Sequence, residues 1–507
     1  MKKMFSKIII CTCFLIACFF VFNACNSDEK NIKNDGILLY EKGSVIGLTN
    51  YGKTLKEIEI PEKYDGMDIN NIAEEAFKSC VNLEGIVIPN TITTIGSSAF
   101  SGCISLSEVV IPDNLTIINP YTFADCSSLT SIIIPDNVVS IGNNALYGCE
   151  LLSEIIIGES VQFVGDSAFA YCSLVESIKL PDSLKNLGVY VFYQCANLKS
   201  VNFGSGIENI TRDQLVGCKL ENIIIGEGIK TIEQVAFNNN FYDSLKTLAI
   251  KGNNSTVLGR GMASSCILLT DVIIENGIIG NEAFKNCNNL NNLTLGNGVQ
   301  SIGDSAFIGC RGLTEITITN NVQTIGSYSF AGCSNLLEVN FGSDLINFGS
   351  SAFYNCNKLE KVNINSIEVW CSYNFSDYFA NPLYYAQHLY LNNEEIVSLI
   401  IPQTIAETKK WTFAGAYGIV CVSIPSTITN IDNDTFFVCP NLTTLVIDSP
   451  VIANSLTEEL FQNYRLGYNV INILIKEGLT ISNSTPLTNY YTKIETTNGY
   501  DSFVKKD

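Results

Sequence analysis

Cysteine recurs in this chain with the regularity of a ruler. Cys80, Cys103, Cys126, Cys149, Cys172, Cys195 and Cys218 lie 23 residues apart, and after an irregular stretch and Cys266 the same step runs from Cys287 through Cys310, Cys333 and Cys356. A second marker keeps the period three residues upstream: Phe77, Phe100, Phe123, Leu146, Phe169, Phe192 and Leu215, then Phe284, Phe307, Phe330 and Phe353. Two rulers of one period exclude chance, and a repeat of this length identifies a stacked array.

Each unit reads roughly L-x-x-I-x-I-P-x-x-(V/I)-x-x-I-G-x-x-A-F-x-x-C-x-x. Its opening segment, for example LSEVVIP from Leu106 to Pro112, is β-branched, too short for a helix and stopped by proline. One strand per unit, always in the same direction, requires the chain to wind round and pair like with like in a parallel sheet. Leu106, Val109 and Ile111 are expected to point inward, with Leu115 and Ile118 on the returning stretch and Phe123 on the far wall. Burying one such side chain contributes about 1.5–3 kcal/mol, yet a single turn encloses no core, so each turn depends on its neighbours. A length of 507 residues would otherwise suggest several globular domains; the repeat points instead to one elongated domain.

The unit resembles the BspA-type leucine-rich repeat, a 23-residue class found on bacterial surfaces, and IPNTITTIGSSAFSGCISLSEVVIP from Ile88 to Pro112 is similar to its consensus. The resemblance runs from about Ile58 to Ile447 and is broken between Ser366 and Asn393, where ANPLYYAQHLYLNNEEIVSLIIPQTI, Ala380 to Ile405, resembles a recurrent insert of the same family. It implies a β-rich solenoid: a right-handed leucine-rich repeat superhelix with one parallel β-sheet and short second strands or turns on the opposite side. It also implies adhesion, or host and community interaction. A fold by itself does not fix a function.

Equivalent cysteines in consecutive turns lie about 5 Å apart, from the strand spacing, close enough to suggest a metal or disulfide array. Against that, there is one cysteine per turn, no C-x-x-C in the solenoid and a single histidine, His388, in the whole chain. A column of buried thiols acting as small hydrophobes is the expectation, with no metal and no cofactor.

The N-terminus, MKKMFSKIIICTCFLIACFFVFNAC, has Lys2, Lys3 and Lys7 followed by an apolar run, the pattern of an export signal. It resembles a bacterial lipoprotein signal with Cys25 as the lipidated residue; Cys18, in LIAC, fits the motif better but is followed by FFVF, a poor exposed tether. An ordinary transmembrane anchor is the alternative. The expected organisation is a signal peptide (1–24), a polar tether (25–36), N-terminal cap strands (37–60), repeats (61–365), an aromatic-rich insert (366–393), further repeats (394–447) and a degenerate repeat with a C-terminal cap (448–507). In that last region Leu460 and Phe461 stand near the phenylalanine position. A bulge or bend is expected between Lys251 and Cys266, where the Ala-Phe pair is missing. The chain carries 30 Lys plus Arg against 50 Asp plus Glu, net −20; without the three signal lysines the count is 27 against 50, net −23. Such a charge favours solubility and repels nucleic acid.

Function is therefore sought on faces. By the period of two along a strand, Val87, Val110, Ile133 and Ile156 point outward as an apolar stripe, beside a polar to acidic row containing Glu108 and Glu154. Such a stripe could receive a protein partner with basic rim residues; equally, β-branched residues simply favour strands. The insert supplies a second candidate, Trp370, Tyr373, Tyr384 and Tyr385 with other aromatics around His388, able to stack on sugars or anchor an interface, or to serve as packing. His388 alone reads as a hydrogen-bonded structural residue. No nucleophile–base set or phosphate-binding loop is visible, so no catalytic residue is assigned. The expectation is a monomeric, exported, lipid-anchored surface protein binding a host or bacterial protein or glycan, with a passive envelope spacer as the alternative and a glycan-acting enzyme third.

Overall fold

A computed structural model of the chain describes residues 32–237, 243–455, 472–477, 479, 491–497 and 500–505. Both proposed lipidation cysteines, Cys18 and Cys25, lie outside the described residues, as do Leu460 and Phe461. The remainder is a parallel-strand solenoid with little helix.

Every regular turn contributes two strands. The first carries the Leu-x-x-Ile-x-Ile segment, as in Ser131–Ile133 and Glu154–Ile156, which pair in parallel and in register from Ser131 opposite Glu154 to Ile133 opposite Ile156. The second is a two-residue strand on the returning stretch: Ile117 pairs with Ser140, Ser140 with Phe163, and Phe163 with Asn186. Repeating the same letters every 23 residues makes identical positions neighbours, so the sequence period becomes the register of both sheets. The inward residues named for one unit, Leu106, Val109, Ile111, Leu115, Ile118 and Phe123, are all buried.

The third side of each turn is a run of tight turns that holds the phenylalanine and the cysteine. The phenylalanines form face-to-face columns: Phe284, Phe307, Phe330 and Phe353 stack at centroid spacings of 5.3, 5.4 and 5.4 Å, with planes within 12°. Phe77, Phe100 and Phe123 do the same at 5.1 and 5.4 Å. The consensus glycine after isoleucine lies where consecutive turns touch. A Cβ on Gly326 would come within 2.5 Å of the Asp304 backbone nitrogen, and one on Gly142 within 2.5 Å of the Pro120 nitrogen.

At the start, the antiparallel pair Leu38–Glu41 and Ser44–Leu48 covers the end of the second-strand column, with Val45 in register with Ile72. The ordered cap starts earlier than residue 37, because Lys33–Asn34, within the expected tether, already pairs with the Leu38–Glu41 strand. At the other end, Asn472–Lys476 continues the main sheet beside Thr444–Ile447, and the antiparallel strands Tyr500–Lys505 and Tyr491–Thr497 then close it.

Two expectations are corrected. Between Lys251 and Cys266 the Val257–Leu258 strand keeps its pairing, as do the Thr247–Ile250 and Asp271–Ile274 segments that flank the stretch; the register shifts fall later, between Ile274 and Asn276 and between Gly277 and Ile278. There the Asp271–Ile279 and Asn292–Ile302 strands run through the corner that other turns break. The stretch 366–393 is an enlarged turn rather than an interruption: Asn374–Phe375 pairs in parallel with Asn347–Phe348, and Leu389–Leu391 with Val362–Ile364. The extra residues form two short helices, Ile367–Ser372 and Leu383–Ala386.

Candidate binding faces

Alternation decides which side chains the main sheet displays. In Ser131–Ile133 and Glu154–Ile156 the middle residue is buried and its two neighbours are exposed. The result is a row of large apolar groups facing water: Val87 at 59%, Val110 at 78%, Ile133 at 61% and Ile156 at 47% exposure. Adjacent strands lie about 4.8 Å apart, so the four side chains form one continuous stripe roughly 15 Å long. Charges bracket it. Glu59 is in register with Val87 at one end, and Lys179, paired with Glu159 at 3.0 Å, follows at the other. Beyond Lys179 exposed apolar residues in this row return singly, as at Ile224 and Ile273.

The acidic residues beside the stripe differ from others on the same sheet. Lys56 with Glu84, Lys199 with Glu176, and Lys246 with Glu221 form ion pairs at 2.6, 3.1 and 2.8 Å. Glu108 and Glu154 are exposed, and among the described residues neither takes part in an ion pair. Their charge is therefore available to an external cation, whereas that of the paired carboxylates is largely cancelled.

The aromatic candidates divide. Trp370 and Tyr373 are fully buried and cannot meet a ligand: the Trp370 indole N–H donates to the Thr412 carbonyl at 2.8 Å and the Tyr373 hydroxyl to the Gly342 carbonyl at 2.7 Å. Their rings pack against Phe341 in the preceding turn. Tyr384 and Tyr385 are half-buried. Tyr385 accepts a hydrogen bond from the Asn355 backbone N–H at 2.9 Å, and Tyr384 packs edge-to-face on Phe379 and Tyr385. Tyr378, with Trp411 at 5.7 Å and Phe437 at 5.6 Å, carries the cluster onto the following turns. This arrangement tethers a larger turn to its neighbours. His388 contacts Glu395 through Nδ1 at 2.6 Å.

The cysteine column has a role that composition did not reveal. Its thiols are buried and free, and from Cys103 to Cys356 they donate to a main-chain carbonyl one turn earlier: Cys103 to Phe77 at 3.1 Å, Cys126 to Phe100 at 3.2 Å, Cys310 to Phe284 at 3.2 Å and Cys333 to Phe307 at 3.3 Å. The thiol is thus both filler and a second donor to a carbonyl that already accepts a backbone N–H in its own turn, as the Phe77 carbonyl does from Cys80 and the Phe284 carbonyl from Cys287. Burial pushes the thiols of Cys103 and Cys333 up to about 12, so they remain protonated. In the regular turns the offset between donor and acceptor is 26 residues, the period plus the three-residue gap between the two markers; at the irregular stretch it becomes 29 for Cys266 and 24 for Cys287.

The family model described as BspA type leucine rich repeat region matches residues 49–176, 165–278, 256–380 and 386–503. Among solved structures, the chain is similar to a leucine-rich repeat protein from Bacteroides ovatus, at 28% identity over 67% of this chain and 94% of that one, TM-score 0.40. It is also similar to a leucine rich cell surface protein from Faecalibacterium prausnitzii, at 21% identity over 69% and 100%, TM-score 0.33. The pneumococcal vaccine antigen PcpA aligns at 18% identity over 89% and 100%, TM-score 0.34. No curated protein matches the chain significantly.

Proposed function

Since the chain belongs to the BspA-type leucine-rich repeat family, we propose that it is an exported, surface-displayed adhesion protein that docks a protein partner on the main sheet. The partner would cover the stripe Val87–Val110–Ile133–Ile156 with apolar residues and meet Glu108 and Glu154 with basic rim residues. The observation that carries this reading is the stripe itself. Four consecutive turns expose a large aliphatic group at one position, beside two carboxylates that have no counter-ion among the described residues. Burying such groups in a partner is favourable by about 25 cal/mol per Å² of apolar area, while the carboxylates supply orientation and association rate.

Ile133→Asp, alone and with Val110→Asp, tests the reading. Both sites face solvent, so the fold should persist, as circular dichroism would verify. Binding to host-cell and extracellular-matrix protein arrays should fall at least tenfold and should weaken with salt in the wild type. A saturable protein ligand whose affinity is unchanged by both substitutions would refute the assignment of this face.

The same proposal places the protein at the envelope through a lipid on Cys25. Among the described residues no helix is long and apolar enough to cross a membrane. One acyl chain binds a bilayer only marginally, so the anchor would carry more than one. Cys25→Ser should abolish incorporation of labelled palmitate and release the chain from the membrane fraction. Loss of label on Cys18→Ser instead would move the anchor to that residue.

A further inference from the structure

The later half of the same sheet has different chemistry at the outward position. In successive strands the row reads Thr317, Asn340, Asn363 and Tyr390, each in register with the next. Where these strands end, a cleft of about 360 Å³ is lined by Thr317, Asn340 and Asn363 together with Asn297, Asn320 and Asn365, and no charged side chain is among its described lining residues.

The hydrogen bonds fix which way the amides face. Asn363 is 9% exposed, and its side-chain oxygen accepts from the backbone N–H of Asn393 at 2.9 Å. Its NH2 must therefore be the group that donates to Asn340, at 3.1 Å, and the acceptor there must be the Asn340 oxygen. That leaves the Asn340 NH2 with no protein partner among the described residues. Asn320 is oriented in the same way, its oxygen accepting from the Ser343 backbone N–H at 3.2 Å. The Thr317 hydroxyl also lacks a partner among the described residues. Next in the row after Asn363, just outside the cleft lining, is the half-buried ring of Tyr390, and the nearby Lys361 ammonium, 5.3 Å from the ring centroid, is neutralised by Glu338 at 3.1 Å.

We propose that this cleft binds a neutral saccharide. Oriented amide donors and a hydroxyl that can both give and accept match the hydroxyl groups of a sugar, and an aromatic edge suits the apolar face of its ring. The volume falls in the range of small-ligand sites. An anionic ligand would be desolvated without a cation to receive it, and the chain's net charge of −20 opposes its approach. Seven strand spacings, about 34 Å, separate the cleft from the aliphatic stripe, so the two sites are independent.

Isothermal titration of the full chain with chitobiose, lactose, cellobiose and maltose, and with sialyllactose as the charged counterpart, tests the proposal. At least one neutral disaccharide should bind saturably. Asn340→Ala and, separately, the near-isosteric Thr317→Val should each weaken it about tenfold, the equivalent of about 1.4 kcal/mol. Thr317→Val disturbs no internal hydrogen bond, so it remains informative should Asn340→Ala upset Asn363. Ile133→Asp should leave the saccharide affinity unchanged, which keeps this test separate from that of the stripe. Absence of saturable binding up to about 10 mM of every neutral sugar, preference for sialyllactose, or affinity indifferent to both cleft substitutions would overturn it.

Discussion

Replacing Phe307 by alanine should open the solenoid locally rather than globally. Phe307 is fully buried between Phe284, 5.3 Å away with planes 1° apart, and Phe330, 5.4 Å away at 8°. Phenylalanine-to-alanine changes in cores cost about 3–5 kcal/mol, and both stacked contacts vanish together, which places this site toward the upper half of that range. In a one-dimensional array the loss falls on the two interfaces the ring bridges. A single unfolding free energy is not a well-defined measure for a long repeat array, so the readout must be local. Native-state hydrogen exchange with mass spectrometry should show amides between residues 284 and 330 exchanging about a thousandfold faster, the equivalent of roughly 4 kcal/mol, with peptides around residues 100–150 unchanged. Phe307→Leu should cost far less, because Leu146 naturally occupies the equivalent position. A loss of protection below tenfold at 284–330, or an equal loss along the whole chain, would refute the stacked-coil reasoning.

Two further substitutions of the environment probe other joints of the fold. Gly326→Ala should destabilise its turn by about 1–3 kcal/mol through overpacking, because the new Cβ would lie 2.5 Å from backbone of the preceding turn; native-state hydrogen exchange of the peptides around residues 304–326 checks this, and unchanged protection there would contradict the close approach. Raising the pH above about 9 should progressively destabilise the protein, since burial pushes the thiols of Cys103, Cys195, Cys287 and Cys333 up to about 12. Below pH 9 both states hold the proton; from 9 towards 12 the unfolded chain loses it while the native chain keeps it, so stability falls by up to about 1.4 kcal/mol per pH unit for each thiol. A variant with Cys310, Cys333 and Cys356 replaced by alanine should show a shallower alkaline slope, and an identical slope would contradict the assignment.

The regular turns were legible because period, direction and alternation are all written in one 23-residue unit: Val109 inward and Val110 outward follow from adjacency on a strand. The glycine of the isoleucine–glycine pair was visible as a letter, but its reason, contact with the Asp304 or Pro120 backbone one turn earlier, exists only once the turns are stacked. For Trp370 and Tyr373 the sequence leaves contact and packing both open, because a dense aromatic cluster has the same composition whether it faces water or core. What distinguishes the two is the long-range partner, such as the Thr412 carbonyl that receives the Trp370 N–H from 42 residues away. The amide cleft was hidden for a related reason. Asparagine at outward positions reads as ordinary solvated surface until the pairing of Asn340, Asn363 and Asn393 fixes the orientation of each amide.

Residue-resolved alkylation of the native chain by iodoacetamide, read by mass spectrometry, tests most directly whether identical coils are piled in register. The thiols from Cys103 to Cys356 should stay unmodified while the protein is folded and react together once it is denatured, with the half-buried Cys421 labelling first. Rapid, independent labelling of the evenly spaced cysteines in the folded protein would place them on the surface and contradict the solenoid core.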